Sequence, residues 1–257
     1  MILEARGLAF SYGKTGGLFR NVSFSLGRGK LMSIIGPNGA GKSTLLNCLM
    51  NLLTPNKGSV FLRGRPLAEM DVRETARAIG YVPQIHVPVY SYSVRDFVVM
   101  GRTPYLGSFQ QPGRRDYALV DAALEELGIE RLRERAYTEL SGGERQQVLI
   151  ARAIVQQPEI VILDEPTSYL DYGNQQRILR LIERMTDKGY TVIMTTHVPD
   201  HVIRLGGLAG ILDGNGDFTV GQAELLLTSE RLSGLYNSDI RLIYVPEAGR
   251  AVCVAAR

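Results

Sequence analysis

Hydrophobic residues along this chain follow two different patterns. Apolar and polar residues alternate over residues 2–10 and 21–26, which predicts antiparallel strands with one buried face. Three later stretches are apolar almost throughout, namely Leu31–Ile35, Ile160–Leu163 and Thr191–Met194. Uninterrupted apolar runs are typical of strands that are buried on both faces of a parallel sheet. The sequence therefore predicts both kinds of strand.

Between these strands, apolar residues recur with helical spacing. The spacing predicts helices over Ser43–Leu53, Asp116–Leu127, Gly143–Gln156 and Asn174–Lys188. Ser93 and Asp96 have the spacing of a capping box, which predicts the start of a further helix that runs to Met100. Shorter elements are expected as well: a hairpin starting with Gly58–Leu62, strands Gly80–Val82 and Leu208–Leu212, short helices near 222–236 and two weak strands after 240.

Strands that alternate with helices indicate an α/β fold with a parallel sheet. The helical block that follows residue 88 is expected to be an insertion into that sheet domain. We therefore expect a single domain over 1–257, divided into an α/β core (1–88 and 157–236), a helical subdomain (89–156) and a C-terminal extension (237–257) of unassigned role.

Composition narrows the class of protein. Of 257 residues, 45% are hydrophobic, as in soluble proteins with a large core, and 29 basic residues nearly balance 26 acidic ones. This balance argues against a nucleic-acid partner. Cys48 and Cys253 show neither metal-ligand spacing nor a disulfide framework. The N-terminus does not resemble a cleavable signal, and no apolar run approaches the roughly 20 residues that cross a bilayer, so we expect a cytosolic protein.

The stretch GPNGAGKST lies between the first apolar run and the first predicted helix. It matches G-x-x-x-x-G-K-[ST] at Gly36, Gly41, Lys42 and Ser43. A plain turn would also use glycines, but this position favours a loop whose backbone N–H groups bind phosphate. Lys42 is then expected to reach the β- and γ-phosphates, and the Ser43 hydroxyl to ligate Mg²⁺. The nucleotide-binding residues expected in this loop are Gly36, Pro37, Asn38, Gly39, Ala40, Gly41, Lys42, Ser43 and Thr44.

Two other strand ends carry polar residues. The run ending at Leu163 is followed by Asp164 and Glu165, and the run ending at Met194 is followed by Thr195-Thr196-His197. Alone, the acidic pair is equally well a polar strand terminus, and the histidine a strand cap. Beside a phosphate loop we expect Asp164 to bind Mg²⁺, Glu165 to act as general base on a water molecule, and His197 to reach the γ-phosphate.

A second glycine turn, Leu140-Ser141-Gly142-Gly143-Glu144, precedes a predicted helix. A serine N-cap with a first-turn acid explains this turn except for its second glycine. An anion site at the helix start explains that glycine too. Because the chain has one phosphate loop, it offers no obvious second phosphate, and the residues alone leave both interpretations open.

These motifs together resemble the nucleotide-binding subunit of ABC transporters, to about residue 236. GPNGAGKST resembles the Walker A loop, LSGGERQ the ABC signature and VILDEP Walker B. YVPQ (Tyr81–Gln84) resembles the Q-loop, SYLD (Ser168–Asp171) the D-loop and TTH the switch-histidine motif. Tyr12 lies where the family has an aromatic residue that stacks on adenine.

The resemblance implies a P-loop NTPase (RecA-like) parallel-sheet core with an N-terminal antiparallel β subdomain and an inserted α-helical subdomain. It implies an ATPase that uses ATP and Mg²⁺, with Glu165, His197 and Gln84 as catalytic residues. Mg²⁺ would be held by Ser43, Gln84 and Asp164.

The resemblance also implies a head-to-tail homodimer with ATP between the two copies. The missing second phosphate is then on the partner copy. The residues that would bind it are Ser141, Gly142, Gly143 and Glu144. Asp171 would lie at the dimer seam. Tyr169 departs from the family, which often has a small residue there, and this leaves the details of communication across the dimer open.

Two longer stretches narrow the subfamily. Tyr81–Gly107 and Leu170–Gln175 resemble importers of metal chelates, including iron siderophores, haem and cobalamin, and of molybdate or tungstate. Zinc and manganese importers carry a similar stretch and are the alternative, although RTPYLG (Arg102–Gly107) favours chelates. The resemblance implies a separate integral-membrane permease, an extracytoplasmic substrate-binding protein as an indirect partner, and a position at the cytoplasmic face of the membrane.

The stretch after the Q-loop is rich in large apolar residues. Such residues are more often core or scattered surface, but beside the Q-loop they also suit a groove for a short permease helix. They are Val89, Tyr90, Tyr92, Phe97, Tyr105 and Phe109. His86 is expected at the surface and Cys48 in the core.

Three functions stay open on the sequence. The first is an ATPase that powers uptake through a permease. The second is an ABC ATPase without a transporter, acting in iron–sulfur assembly, DNA repair or translation; the Tyr81–Gly107 stretch argues against it. The third is a nucleotide-gated cassette without catalysis, which requires a degraded catalytic position that the sequence does not show.

Overall fold

The structure is a computed structural model that describes residues 1–13, 17–87 and 90–256. It divides into two compact units. The first unit consists of Met1–Met70 and Thr186–Arg257, and the second of Asp71–Met185.

The elements follow the chain from the first unit into the second and back. The first unit begins with β1 (Leu3–Phe10), β2 (Phe19–Leu26), β3 (Leu31–Ile35), α1 (Lys42–Leu49), β4 (Lys57–Leu62) and β5 (Arg65–Pro66). The next segment contains α2 (Val72–Ala78), β6 (Ile79–Val82), α3 (Val94–Val99), α4 (Arg114–Leu127), α5 (Gly142–Ile154), β7 (Ile160–Leu163) and α6 (Tyr172–Asp187). The chain ends with β8 (Thr191–Thr196), α7 (Pro199–Leu205), β9 (Leu208–Leu212), β10 (Phe218–Gln222), α8 (Ala223–Leu226), α9 (Ser229–Tyr236), β11 (Ile240–Val245) and β12 (Arg250–Ala255).

Two sheet layers build the first unit. One is antiparallel, in the order β2-β1-β4-β5, and its alternating strands bury one face as predicted. In the other, β10-β9-β3-β8 are neighbours, and β3 runs parallel to β8 and β9 with every residue buried. At the carboxyl end of β3, Ile35 pairs with Thr196 and Ile211. The register therefore brings the loop after β3 and the residue after β8 to the same sheet edge.

The second unit places two other motifs at one edge. Strands β6 and β7 are parallel, and Val82 pairs with Leu163. The Asp164 N–H donates to the carbonyl of Val82 (2.9 Å), so the chain after β6 and the chain after β7 leave together. The helix α3 begins at the predicted cap, where Ser93 Oγ accepts from the Asp96 N–H (3.0 Å).

Some elements differ from the prediction. Helix α1 ends at Leu49 rather than at Leu53, because Asn51 adopts a left-handed conformation (φ +59°). The helices α2 and α7 and the strand β10 were not predicted. Each is short, and short elements give weak periodicity.

The C-terminal residues form part of the first unit rather than a loose tail. Strands β11 and β12 pair as an antiparallel hairpin over six residue pairs, which confirms the two strands expected after residue 240. Ile240 is buried in one apolar cluster with Val202 of α7 and Leu232 of α9, and Leu242 and Cys253 pack against this cluster.

Candidate nucleotide-binding site

The loop after β3 is shaped by its glycines. Gly39 and Gly41 have left-handed backbones (φ +82° and +99°), which other residues rarely adopt. A Cβ at Gly36 would collide with the carbonyl of Leu212. The Lys42 side chain is only 5% exposed and turns back over the loop, where Nζ donates to the carbonyls of Gly36 (2.9 Å) and Pro37 (3.0 Å). Lys42 thus already points its charge into the concave side of the loop.

The start of α1 suits an anion. Gly41 is its N-cap, and in the described chain no side chain caps this end and no acid occupies the first turn. The first N–H groups of a helix are donors that need an acceptor, and the helix dipole favours a negative one. Tyr12, at the surface of the same unit, bonds through its hydroxyl to Thr44 Oγ1 (3.1 Å), which ties the predicted adenine-stacking ring to this helix.

His197 follows β8 at the sheet edge where the phosphate loop begins. Its main-chain carbonyl accepts a hydrogen bond from the hydroxyl of Tyr236 (2.9 Å). The neighbouring Thr196 Oγ1 accepts from the Val198 N–H (3.1 Å) and lies 3.3 Å from Nδ1 of the buried His201. The loop that carries His197 is therefore held on both sides.

In the second unit, two side chains converge on Glu165. Gln84 Nε2 donates to Glu165 Oε2 (3.1 Å), and so does Ser168 Oγ (2.8 Å). Glu165 is 7% exposed and has a left-handed backbone (φ +44°), a strained conformation of the kind that clusters at functional sites. The carboxylate is thus aimed by its backbone and by two donors.

Asp164 is buried beside Tyr81. Burial, followed by the negative charge of Asp164 and a hydrogen bond to it, raises the pKa of Tyr81 to about 12. The Tyr81 hydroxyl therefore remains a proton donor at neutral pH, and Asp164 is the acceptor it faces.

The signature turn is a capping box at the start of α5. Ser141 Oγ accepts from the Glu144 N–H (3.4 Å), and Glu144 Oε2 accepts from the Ser141 N–H (3.1 Å) and hydroxyl (2.9 Å). Burial raises the pKa of Glu144, but the bonds from Ser141 and Arg131 outweigh burial and hold it below its usual value. Ser141 and Glu144 are therefore the N-cap and the first-turn acid of α5, as the first of the two interpretations predicts.

The second glycine of that turn has a structural reason as well. A Cβ at Gly143 would collide with the side chain of Asn174. Asn174 Nδ2 donates to Asp171 Oδ2 (2.8 Å), and the Asn174 N–H donates to Asp171 Oδ1 (2.8 Å). The signature turn and the D-loop are thus in contact within this unit. Tyr169, which lies within the D-loop, has a left-handed backbone (φ +64°) and is largely exposed.

The predicted Mg²⁺ ligands are a hydroxyl, an amide and one carboxylate: Ser43, Gln84 and Asp164. Among the described residues, no group of three or more His, Cys, Asp or Glu side chains could hold a metal by itself. Mg²⁺ takes oxygen ligands and is commonly held by one or two carboxylates together with substrate phosphates. The donor set therefore fits Mg²⁺ bound with a nucleotide rather than a resident metal.

Phe97 is buried, and His86 is half-buried rather than freely exposed. The Phe97 ring is 5% exposed and stacks on Tyr137 at 4.0 Å, and His86 packs edge-on against both rings. His86 Nδ1 also lies 3.2 Å from the Tyr137 hydroxyl. The expected surface histidine is thus only partly exposed, because the chain after Gln84 packs it against Phe97 and Tyr137. Tyr90, Tyr92 and Phe109 are exposed, and Val89 lies outside the described residues.

The sequence did not single out three residues that hold the site. Ser168 bonds to Glu165, Asn174 orders Asp171, and Tyr236 bonds to His197. Ser168 and Asn174 lie in stretches that the resemblance covers. Tyr236 belongs to no motif and is distant in sequence from Glu165 and Gln84. The sequence indicated only that Tyr236 lies near the end of a short predicted helix.

Comparison with known proteins decides the family. The family model described as ABC transporter matches residues 19–168, more than half of the chain. The chain belongs to the ABC transporter family. This ABC cassette is 41% identical to an ABC transporter ATP-binding protein of Haemophilus influenzae without an assigned substrate, over 95% of this chain and 92% of that protein. It is 36% identical to the molybdate import ATP-binding protein of the same organism, covering 91% and 88%.

A solved structure extends this similarity to the fold. An inward-facing transporter of putative metal-chelate type contains a chain that matches this cassette with a TM-score of 0.89 and 33% identity, covering all of this chain and 98% of the other. The cassette thus has the α/β fold of ABC ATPases, as predicted. Within the described part of the chain, no helix is both long and apolar enough to span a membrane.

Proposed function

We propose that this cassette is the ATP-hydrolysing subunit of an importer for metal chelates or metal oxyanions. The observation that carries the hydrolytic part is the convergence of Gln84 and Ser168 on the strained, buried carboxylate of Glu165. A carboxylate that is fixed in direction is what a general base for water requires.

In this proposal the first unit binds the nucleotide. The N–H groups of Gly39–Ser43 and the charge of Lys42 hold the phosphates, and Tyr12 stacks on the adenine. Mg²⁺ bound through Ser43, Gln84 and Asp164 would neutralise charge on the β- and γ-phosphates. His197 donates a hydrogen bond towards the γ-phosphate.

The second unit supplies the base. Glu165 accepts a proton from the attacking water, while Gln84 and Ser168 keep the carboxylate oriented. A change in the site at Glu165 would also shift Gln84 and, with it, the chain that follows β6. Because the two hydrogen bonds already restrict the Glu165 side chain, it loses less entropy when it reaches the reactive arrangement.

Two copies are proposed to act together, head to tail. In each copy the start of α5 presents N–H donors and Ser141 to the nucleotide bound by the other copy, and Asp171 lies at the seam. The capping box supports this role because Glu144 fixes the orientation of Ser141 at the start of α5.

A permease is the proposed membrane partner, and an extracytoplasmic binding protein the indirect one. Together they would place the cassette at the cytoplasmic face of the membrane. A cavity of about 500 Å³ lies between α2 and the chain after α3 and is lined mainly by apolar groups, including Val72, Val99 and Met100. Its exposed Val72 and Met100 and the nearby Tyr105 give a surface for a short permease helix.

The hydrolytic role is tested with Glu165→Gln. The amide keeps the shape and still accepts hydrogen bonds, but it cannot take a proton at neutral pH. We expect nucleotide binding within about twofold of the parent and a fall in turnover of at least about 100-fold, the usual contribution of a general base. Binding of a fluorescent ATP analogue and phosphate release measure the two quantities. Glu125→Gln, on the exposed face of α4, is the matched control. Hydrolysis at the parent rate by Glu165→Gln would remove Glu165 from the mechanism.

The substrate class needs a separate experiment. The similarity to a molybdate importer and to a putative metal-chelate transporter supports a chelate or oxyanion, and zinc or manganese import is the alternative. Uptake of ferric siderophore, molybdate and zinc by cells that carry or lack the gene compares these substrates directly. A non-transport ATPase would leave all three unchanged and would purify without a multi-spanning membrane protein.

A further inference from the structure

We propose that Tyr236 is a positioning residue for His197, and that the C-terminal hairpin β11–β12 holds the segment on which it acts. The inference rests on the proposed ATPase function. It assigns a role to residues that neither the motifs nor the comparisons assign.

The contact with His197 is direct and directional. The Tyr236 hydroxyl donates to the main-chain carbonyl of His197 at 2.9 Å. Tyr236 is half-buried at the C-terminal end of α9 and packs against the apolar cluster of the first unit, so its ring has little freedom to move. A hydrogen bond to the carbonyl of a loop residue restricts the peptide plane and hence the direction of that residue's side chain.

The residues around His197 are held from the other side as well. Thr196 Oγ1 accepts from the Val198 N–H at 3.1 Å and lies 3.3 Å from Nδ1 of His201. Together with Tyr236, these contacts fix the chain directly before and after His197. The loop is therefore pre-set rather than left to be ordered by a ligand.

The hairpin reaches the same loop through α7. The carboxylate of Asp200, in the first turn of α7, accepts from the Cys253 N–H of β12 at 3.0 Å, and Arg250 lies at 3.5 Å from the same oxygen. On the other strand, Ser233 Oγ of α9 accepts from the Ile240 N–H (2.9 Å) and donates to its carbonyl (3.2 Å). The hairpin thus ties α7, which follows His197, to α9, which carries Tyr236.

A hairpin that served only to stabilise the fold would not require contacts that restrict the segment around His197. The burial of Ile240 and the packing of Leu242 against the apolar cluster stabilise the unit without any contact to His197. The hydroxyl of Tyr236 is a separable feature, because it can be removed while the ring and its packing remain. Its loss should affect the step that needs His197 more than the stability of the fold.

The test uses Tyr236→Phe in the full-length chain. We expect kcat for ATP hydrolysis to fall about threefold to tenfold, as for loss of one hydrogen bond that aligns a catalytic group, with KM for ATP within about twofold. Tyr244→Phe, an exposed tyrosine on the same hairpin, is the matched control and should keep the parent kcat. In a His197→Ala background, Tyr236→Phe should cause no further loss, because its effect passes through His197.

A second measurement does not need turnover. Hydrogen exchange of peptides that cover residues 195–200 should be faster in Tyr236→Phe than in the parent or in Tyr244→Phe. An unchanged kcat, or an equal further loss in the His197→Ala background, would overturn the proposal, and so would unchanged exchange in this segment. Failure of the proposed function looks different: His197→Ala itself would then hydrolyse ATP at the parent rate.

Discussion

At the scale of single residues, hydrogen bonds fix the direction of the chemically important groups. Glu165 has two donors on one oxygen and a left-handed backbone, and Lys42 is turned into its loop by two carbonyls. Such conformations cost free energy, and the packed surroundings of each residue supply it. The side chains proposed to act on the nucleotide are therefore oriented by the protein itself.

His201, beneath the loop of His197, makes the stability of the cassette depend on pH. Burial lowers the pKa of His201 to about 4, the carboxylate of Asp200 opposes this, and electrostatic interactions with His197 and Arg204 lower it further. The folded state therefore keeps His201 neutral, while an unfolded chain protonates it near pH 6.5. Stability contributed by the neutral form is present above pH 6.5 and is lost as the pH falls towards 4.

The prediction is that His201→Asn reduces this loss. Linkage gives about 2 kcal/mol of destabilisation between pH 7 and pH 5 from this histidine alone. Asparagine keeps a polar group near Thr196 but does not titrate. Urea unfolding of the parent and of His201→Asn at pH 7, 6 and 5 measures the difference. Parallel pH dependences of the two proteins would show that His201 is not the source.

At the scale of elements, the start of α5 joins two motifs that are distant in sequence. Gly143 leaves room for Asn174, and Asn174 bonds twice to Asp171 of the D-loop. The neighbouring Gly142 has no such constraint, because a Cβ there would meet only Leu170 at an ordinary 3.5 Å. The two glycines of the signature turn are therefore required for different reasons.

This difference predicts opposite effects on stability. Alanine is favoured over glycine in a helix by up to about 1 kcal/mol, so Gly142→Ala should be neutral or slightly stabilising. Gly143→Ala should destabilise by about 1 kcal/mol or more, because Asn174 must move and its bonds to Asp171 are lost. Urea unfolding measures both variants. Asn174→Ala in the Gly143→Ala background should recover part of the loss, and an absence of recovery would assign the cost to another contact.

At the scale of the whole molecule, strands and motifs were predictable and their supports were not. The apolar runs before Gly36 and Asp164 are buried strands, and their parallel register follows from general rules. Helix α2 was missed although Asp71 and Glu74 have capping-box spacing, because only seven residues follow a weak pattern. The contacts of His86 and Tyr236 were not predicted because their partners, Tyr137 and the His197 carbonyl, are distant in sequence. Pairings of this kind depend on tertiary packing that periodicity does not encode.

In the proposed dimer, each ATP site is built from residues of both copies. If every site combines the phosphate loop of one copy with the signature turn of the other, two different defects can complement each other. Lys42→Ala disables the loop, and Ser141→Arg blocks the turn by adding bulk and charge where a phosphate should approach. Each variant alone forms dimers in which both sites are defective.

A mixed dimer of these two variants has one site with both defects and one site with neither. An equimolar mixture should therefore recover ATP hydrolysis, up to about a quarter of the parent activity if chains exchange at random. The matched control is a chain that carries both substitutions, mixed with the parent chain. Its mixed dimers contain no intact site, so its activity should stay at the level of the parent dimers that remain. If the two single variants stay inactive when mixed, while they form mixed dimers as judged by two affinity tags, the signature turn of one copy does not complete the site of the other.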